Sequence, residues 1–333
     1  MIACYAAWNK SEEVLRVSTS GGMFTALAEK VILAGGVVVG AAYDERMNVR
    51  HEIVDCIDGL ARLRGVKYVC GMIGKGVYHG MRKALDAGRR VMFVGLPCQA
   101  AAVRKMFGNN GSLLICDLVC FGAPPHILWR KYVDWQEKKY GKKLVNVNPR
   151  DKKYGWGRKT YYRYDWADGC VVWKTSLFDP YAQAFYMAIA FRTPCYACRF
   201  KGVNSKADIT LCDLWGAEKI GLSANVLHNG VSGVIVRTEC GAKAFELSDV
   251  CRKEISEEDL TRNNVPILHS SARHPRWEEF SDDLKKMDFA GLVHKYRLQV
   301  TKFQFAKRQV RAWASTLKGW IIARIKVAKS ANV

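Results

Sequence analysis

No stretch of this chain is apolar for the roughly 18 residues a membrane span needs. The two longest candidates, VILAGGVVVGAAY and GWIIARIKVA, are short and broken by glycine or charge. The opening MIACYAAWNKSEEV lacks the basic start and long apolar centre of a secretion signal. Internal repeats and low-complexity runs are absent as well. Together these absences argue against a membrane-spanning or solenoid protein, and a cytoplasmic location is expected. Acid is missing from one end: His294 to Val333 holds ten Lys or Arg and no Asp or Glu.

Against those absences stand 333 residues, 49 % of them hydrophobic. That is enough for a sizeable core and too apolar for a disordered chain. The net charge of +21 points to an anionic partner: nucleic acid, a membrane surface, a cofactor or an acidic protein. The excess concentrates in the tail and no recognised nucleic-acid motif accompanies it, so nucleic acid is not expected. Twelve cysteines in a reducing compartment favour metal or redox work over disulfides. Cys4, Cys56, Cys170, Cys240 and Cys251 are scattered and read as small packed hydrophobes.

The pattern along residues 1–142 alternates strand and helix. VVVGAAY, RVMFVG and SLLICDLVC read as buried strands, and helices follow from VYHGMRKALDAGR, QAAAVRKMFG and HILWRKYVDWQEKKYG. This predicts an α/β fold with a mixed, largely parallel N-terminal sheet. Residues 143–290 change texture to an α+β portion: KTYYRYDWADGCVVWKTS reads as a hairpin turning at Asp-Gly. PYAQAFYMAIAF then reads as a helix, and ADITLCDLWG and SGVIVRT as strands. Residues 291–333 form a basic tail expected to be helical, with Val310, Trp313, Leu317, Trp320, Ile321, Ile325 and Ala328 on one stripe. That stripe reads as packing on its own domain, as an in-plane anchor at the inner face of an anionic membrane, or as a surface docked on an acidic partner.

In open α/β sheets ligands collect at the carboxyl ends of the strands. RVMFVG runs into Gly95-Leu96-Pro97-Cys98-Gln99, and SLLICDLVC runs to Cys120-Phe121-Gly122. Two cysteines from two strands thus meet one edge of the sheet. Cys116 lies on the same face as Cys120 and reads as packed. The loop PCYACRF adds Cys195 and Cys198. Four thiolates suit a [4Fe–4S] cluster or a structural zinc, and a lone redox dithiol is the third reading. Ser18, Thr19, Ser20, Gly21 and Gly22 open a helix where backbone N–H groups suit a phosphate, or simply an N-cap. Lys67 and Tyr68 supply a cation and a ring, and RDKKYGW sets Arg150, Lys152 and Lys153 beside Tyr154 and Trp156. That loop reads either as solvated or as a clamp on an anionic ring system. Asp213 is a strand-end carboxylate, structural or in contact with the cofactor.

The blocks SGGMFTALAE, GVVVGAAYDE, GVKYV, VMFVGLPCQAAAV, CDLVCFGAPP, VNPRDKKYGW, PCYACRF and ADITLCDLWG resemble, in order, the coenzyme F420 hydrogenase/dehydrogenase beta-subunit family over roughly residues 1–240. The resemblance implies an iron–sulfur flavoprotein oxidoreductase that moves electrons between a [4Fe–4S] cluster, FAD and an external two-electron substrate. It assigns Cys98, Cys120, Cys195 and Cys198 to the cluster. It assigns residues 18–22, Lys67, Tyr68, Gln99, Arg150, Lys152 and Asp213 to cofactor binding. Many members begin with a ferredoxin module and this chain starts where that module would end, so ferredoxin or another electron-transfer protein is the expected partner. Phe121 stands where the family has His, Val66 where it has Ser, Cys70 where it has Gln, and Cys212 where it has Gly. The resemblance leaves the substrate as a deazaflavin or, from the company some members keep with polysaccharide genes, a sugar or glycan precursor. The rival is a zinc-stabilised, non-redox binding protein associated with glycan synthesis.

Overall fold

The structure is a computed structural model that describes residues 3–157 and 160–300. Its strands are β1 (Ala3–Asn9), β2 (Val37–Tyr43), β3 (Val49–Val54), β4 (Val91–Gly95), β5 (Leu113–Leu118), β6 (Leu144–Asp151), β7 (Tyr161–Trp166), β8 (Val171–Thr175), β9 (Ile209–Asp213), β10 (Ser232–Val236) and β11 (Val250–Glu254). Eight form one sheet in the order β11-β1-β10-β9-β5-β4-β2-β3; β6, β7 and β8 form a second. The centre of the large sheet, β2, β4, β5 and β9, is parallel. The flanks are antiparallel: β3 on one side, then β10, β1 and β11 on the other. The sheet therefore takes strands from both sides of residue 142.

Strand alternation sends side chains to two helix layers. Val38, Met92, Leu114, Cys116 and Leu211 face one side, under Met23, Leu27, Val31 and Ile32 of the helix Met23–Leu33 and Phe245 of the helix Glu239–Leu247. Val37, Val39, Val91, Phe93, Leu113 and Ile115 face the other, under the helices Lys75–Asp86 and Pro97–Phe107. Covering on both faces is why these strands read as unbroken apolar runs rather than alternating ones. Cys116 is fully buried in this core, in keeping with its reading as a packed residue.

The hairpin at Asp-Gly is present: β7 and β8 pair antiparallel from Tyr161↔Thr175 to Asp165↔Val171. Its inner face joins the helix His126–Tyr140 and the helices Trp277–Lys286 and Phe289–Lys295 in an aromatic core. At its centre the buried Asp179 accepts from the hydroxyls of Tyr132 and Tyr164, at 2.8 and 2.7 Å, and from the backbone N–H of Ala182 at 2.8 Å. A buried carboxylate is tolerable only with partners of this kind. Among the described residues no helix is long and apolar enough to cross a membrane. The apolar stripe expected at Val310–Ala328 lies outside the described residues.

Candidate functional site

A cleft of about 1200 Å³ opens at the carboxyl ends of the parallel strands. Val94 and Gly95 of β4, residues 118–123 at the end of β5 and residues 211–213 of β9 form its floor. Ser18, Thr19, Ser20 and Gly22 line one wall, and Lys67 and Tyr68 another. The second sheet and the helix Pro180–Tyr186 close it with Thr160, Tyr161, Ser176, Phe185 and Tyr186.

The loop at residues 18–22 is held by its own side chains. Ser18 Oγ donates to Val14 O at 2.6 Å and Ser20 Oγ to Val231 O at 2.8 Å. Thr19 Oγ1 accepts from the Val66 N–H at 3.2 Å, joining this loop to the Lys67–Tyr68 segment. Gly21 N donates to Ser232 Oγ at 3.0 Å. A Cβ on Gly21 would stand 2.3 Å from Ala7 O, so only glycine fits between β1 and β10. Gly22 takes a left-handed φ of 77° and caps the helix Met23–Leu33 with no side chain. The hydroxyls are thus spent on shaping the loop, and the uncapped helix start is what faces the cleft. Helix starts of this kind favour anions.

The expected basic residues divide into holders and one ion pair. Lys67 Nζ donates to the carbonyls of Arg62, Leu63 and Arg64 at 3.1, 3.3 and 2.8 Å, and burial pulls its pKa down to about 7. Lys152 Nζ bridges Ser20 O and Asn229 O at 2.9 and 2.5 Å, with its pKa drawn down to about 8 by burial. Arg150 Nη1 pairs with Asp213 Oδ2 at 3.0 Å, both side chains largely buried. Asp213 also accepts from Trp156 Nε1 at 2.9 Å. Trp156 stacks on Trp215 at 5.2 Å, and the Arg150 guanidinium lies 4.9 Å from the Trp215 ring. Tyr68 stacks on Phe185 at 4.3 Å. Gln99 Nε2 donates to Gly71 O at 2.6 Å, and its Oε1 accepts from Leu96 N.

Beside the cleft the cysteines converge. The Cys98 thiol lies within electrostatic reach of Cys70, Cys195 and Cys198. Cys120 is within reach of Cys98 and Cys195 and also lines the cleft. All four expected cysteines share one neighbourhood, and Cys70 joins them as a fifth. Burial pushes the thiols of Cys70 and Cys98 up, and that of Cys120 to about 12. Among the described residues no three His, Cys, Asp or Glu stand close enough to hold one metal ion. Tetrahedral zinc with bonds of about 2.3 Å needs sulfurs only about 3.8 Å apart. A four-iron cluster spreads its four thiolates over separate irons.

The C-x-x-C loop is pinned from behind. Tyr196 Oη donates to Ala188 O at 2.6 Å, Trp277 Nε1 to Phe191 O at 2.8 Å, and Cys198 N to Ser270 Oγ at 2.9 Å. The Phe191 ring lies over Gly122, where a Cβ would approach it to 2.2 Å. That contact fixes the turn carrying Cys120 against the loop carrying Cys195. Cys212 lines the cleft and its Sγ contacts Gly233 O at 3.6 Å. Arg192 and Lys201 enter the same neighbourhood. The only sequence signal for them is position, three residues before Cys195 and three after Cys198.

The chain's relatives define its class. Residues 88–261 match the family model for the C terminus of the coenzyme F420 hydrogenase/dehydrogenase beta subunit. The chain belongs to this family, one of hydrogenase and dehydrogenase subunits, and its chemistry is redox. A chain from the xenon-derivatised F420-reducing [NiFe] hydrogenase complex of Methanosarcina barkeri is similar in fold. The TM-score is 0.52 at 17 % identity, over 82 % of this chain and 96 % of that one. No curated protein matches the chain.

Proposed function

We propose that this chain is an iron–sulfur flavoprotein oxidoreductase that couples a [4Fe–4S] cluster and FAD to an external two-electron substrate. The observation that carries it is the grouping of Cys98, Cys120, Cys195 and Cys198 at the wall of the large cleft, with Cys120 on both. When bound, the cluster supplies single electrons and the flavin accepts one or two. Cys98, Cys120, Cys195 and Cys198 would hold the cluster. The start of the helix Met23–Leu33 would receive the anionic part of the flavin. Tyr68, Phe185 and Trp215 give the cleft flat apolar faces suited to a ring system. The side chains of Lys67, Lys152 and Gln99 are engaged with backbone carbonyls, so they hold the walls that shape the cleft.

An external electron-transfer protein is the proposed partner. Thr193, Pro194, Ala197 and Arg199 of the C-x-x-C loop are exposed or half-buried, so the thiols lie close under the surface. The chain's positive charge suits an acidic carrier such as ferredoxin. Its substrate is proposed to be a sugar or glycan precursor, on the resemblance already described.

The test is anaerobic purification with iron, sulfide and flavin analysis. A brown-yellow protein carrying iron, sulfide and FAD is expected. Cys195→Ser should lose iron and the cluster absorbance, and Cys56→Ser, at an exposed site outside the group, should keep both. A colourless protein with stoichiometric zinc would overturn the reading.

A further inference from the structure

Two cations lie against different members of the cysteine group and share Cys195. Arg192 lies among Cys70, Cys98 and Cys195. Its backbone N–H is anchored on Ala123 O at 3.2 Å, which ties it to the turn after Cys120. Its Nε is buried with no partner. Lys201 lies by Cys120, Cys195 and Cys198, and its ammonium is aimed by bonds to Cys120 O and to Pro266 O.

Neither cation makes an ion pair with Asp or Glu among the described residues; the ionisable groups facing both are thiols. A half-buried cation without a carboxylate partner is costly unless another negative charge answers it. Thiols become that charge only when deprotonated, and metal ligation is what deprotonates them. Four thiolates outweigh the positive charge of the cluster they hold, so the ligated group is anionic, and each electron added makes it more so. Fixed positive charge beside it favours the reduced form, which raises the potential.

We infer that Arg192 and Lys201 are built-in counter-charges of the cysteine site and raise the reduction potential of the group its thiolates bind. This rests on the iron–sulfur reading above. It assigns both residues a positioning and tuning role; neither is a ligand.

The experiment compares the anaerobically purified native chain with Arg192→Met and Arg192→Lys. Iron and sulfide are measured first, then the cluster midpoint potential by dye-mediated titration followed by electron paramagnetic resonance. Arg192→Met is expected to keep its iron and to titrate at a lower potential. The expected size is at least a tenfold loss of reduced over oxidised cluster at a fixed potential, about 59 mV for a one-electron couple. Arg192→Lys, which keeps the charge, should stay close to native. A fully loaded Arg192→Met with an unmoved midpoint overturns the inference. Iron loss in both variants also overturns it, because the guanidinium shape would then matter and its charge would not. A native chain without iron or sulfide would instead sink the iron–sulfur reading itself, and the two failures appear at different steps.

Discussion

The ion pair between Arg150 and Asp213 makes the sharpest stability prediction. The contact is 3.0 Å, and the two side chains are only 8 % and 16 % exposed. Solvent therefore screens it little. Arg150→Met leaves Asp213 with the bond from Trp156 Nε1. Removing one member of a buried pair costs about 3–5 kcal/mol, because the other charge stays behind uncompensated. Asp213→Asn keeps the bond from Trp156 but leaves Arg150 with the Trp215 face and Tyr68. Each single change should lower the unfolding free energy within that range. The double variant removes both charges and so recovers much of the penalty. It should cost less than the singles added together, with a coupling of about 0.5–3 kcal/mol. Urea unfolding followed by far-UV circular dichroism measures all four chains, at one fixed cofactor occupancy so that ligand linkage cancels. If the single penalties simply add, or if Arg150→Met costs under about 1 kcal/mol, the pair does not carry the cleft wall.

Three further outcomes follow from the geometry. Gly21→Ala should destabilise by at least about 1–3 kcal/mol in thermal melts, because its Cβ would stand 2.3 Å from Ala7 O and 2.7 Å from Ser232 N. A melt indistinguishable from native would show that β1 and β10 yield there. His51 is stacked on Phe93 with its pKa pushed down to about 4 by burial, so the unfolded chain binds the extra proton first as pH falls. Native stability should drop between about pH 6.5 and pH 4, and His51→Leu should lose that part of the slope in urea midpoints measured across the window. Lys152→Met frees Ser20 O and Asn229 O, so flavin retained on gel filtration should fall while iron content holds; equal loss of both would show a general unfolding.

The central strands are legible in the sequence because burial on both faces leaves a plain mark, unbroken apolar runs such as VMFVG and LLICDL between helices. Of the flanking strands only β10 is, read from SGVIVRT; the others are not. β1 reads ACYAAWN, a run of small and mixed residues without a clear period, and its place beside β10 depends on partners more than 220 residues away. β11, exposed along most of its length, carries charge where a strand pattern would show apolar residues. The hairpin of β7 and β8 is readable from Asp-Gly between β-rich runs, since that turn is local chemistry.

The same distinction between local and distant determinants runs through the site. Cys98 and Cys120 are predictable as neighbours because each follows a parallel strand, and parallel strands in register deliver their ends to one edge. Cys195 and Cys198 announce themselves by spacing. What brings the two pairs together is not local: Gly122 must be bare for the Phe191 ring to lie on it, and Arg192 must reach Ala123 O. Cys70 is delivered in a third way, by Gln99 bonding Gly71 O and by the Cys70 N–H reaching Pro124 O at 3.4 Å. Those contacts join stretches far apart in sequence and carry no pattern of their own. The roles of the basic residues are obscured for a related reason. Lysine next to a cleft reads as a ligand contact, yet Lys67 and Lys152 each end on backbone carbonyls that only the fold sets within reach. Arg192 and Lys201, symmetric about the C-x-x-C, read as ordinary loop charge until the thiols around them are seen. In this site sequence spacing picks out the cysteines, and tertiary packing decides which cations lie beside them.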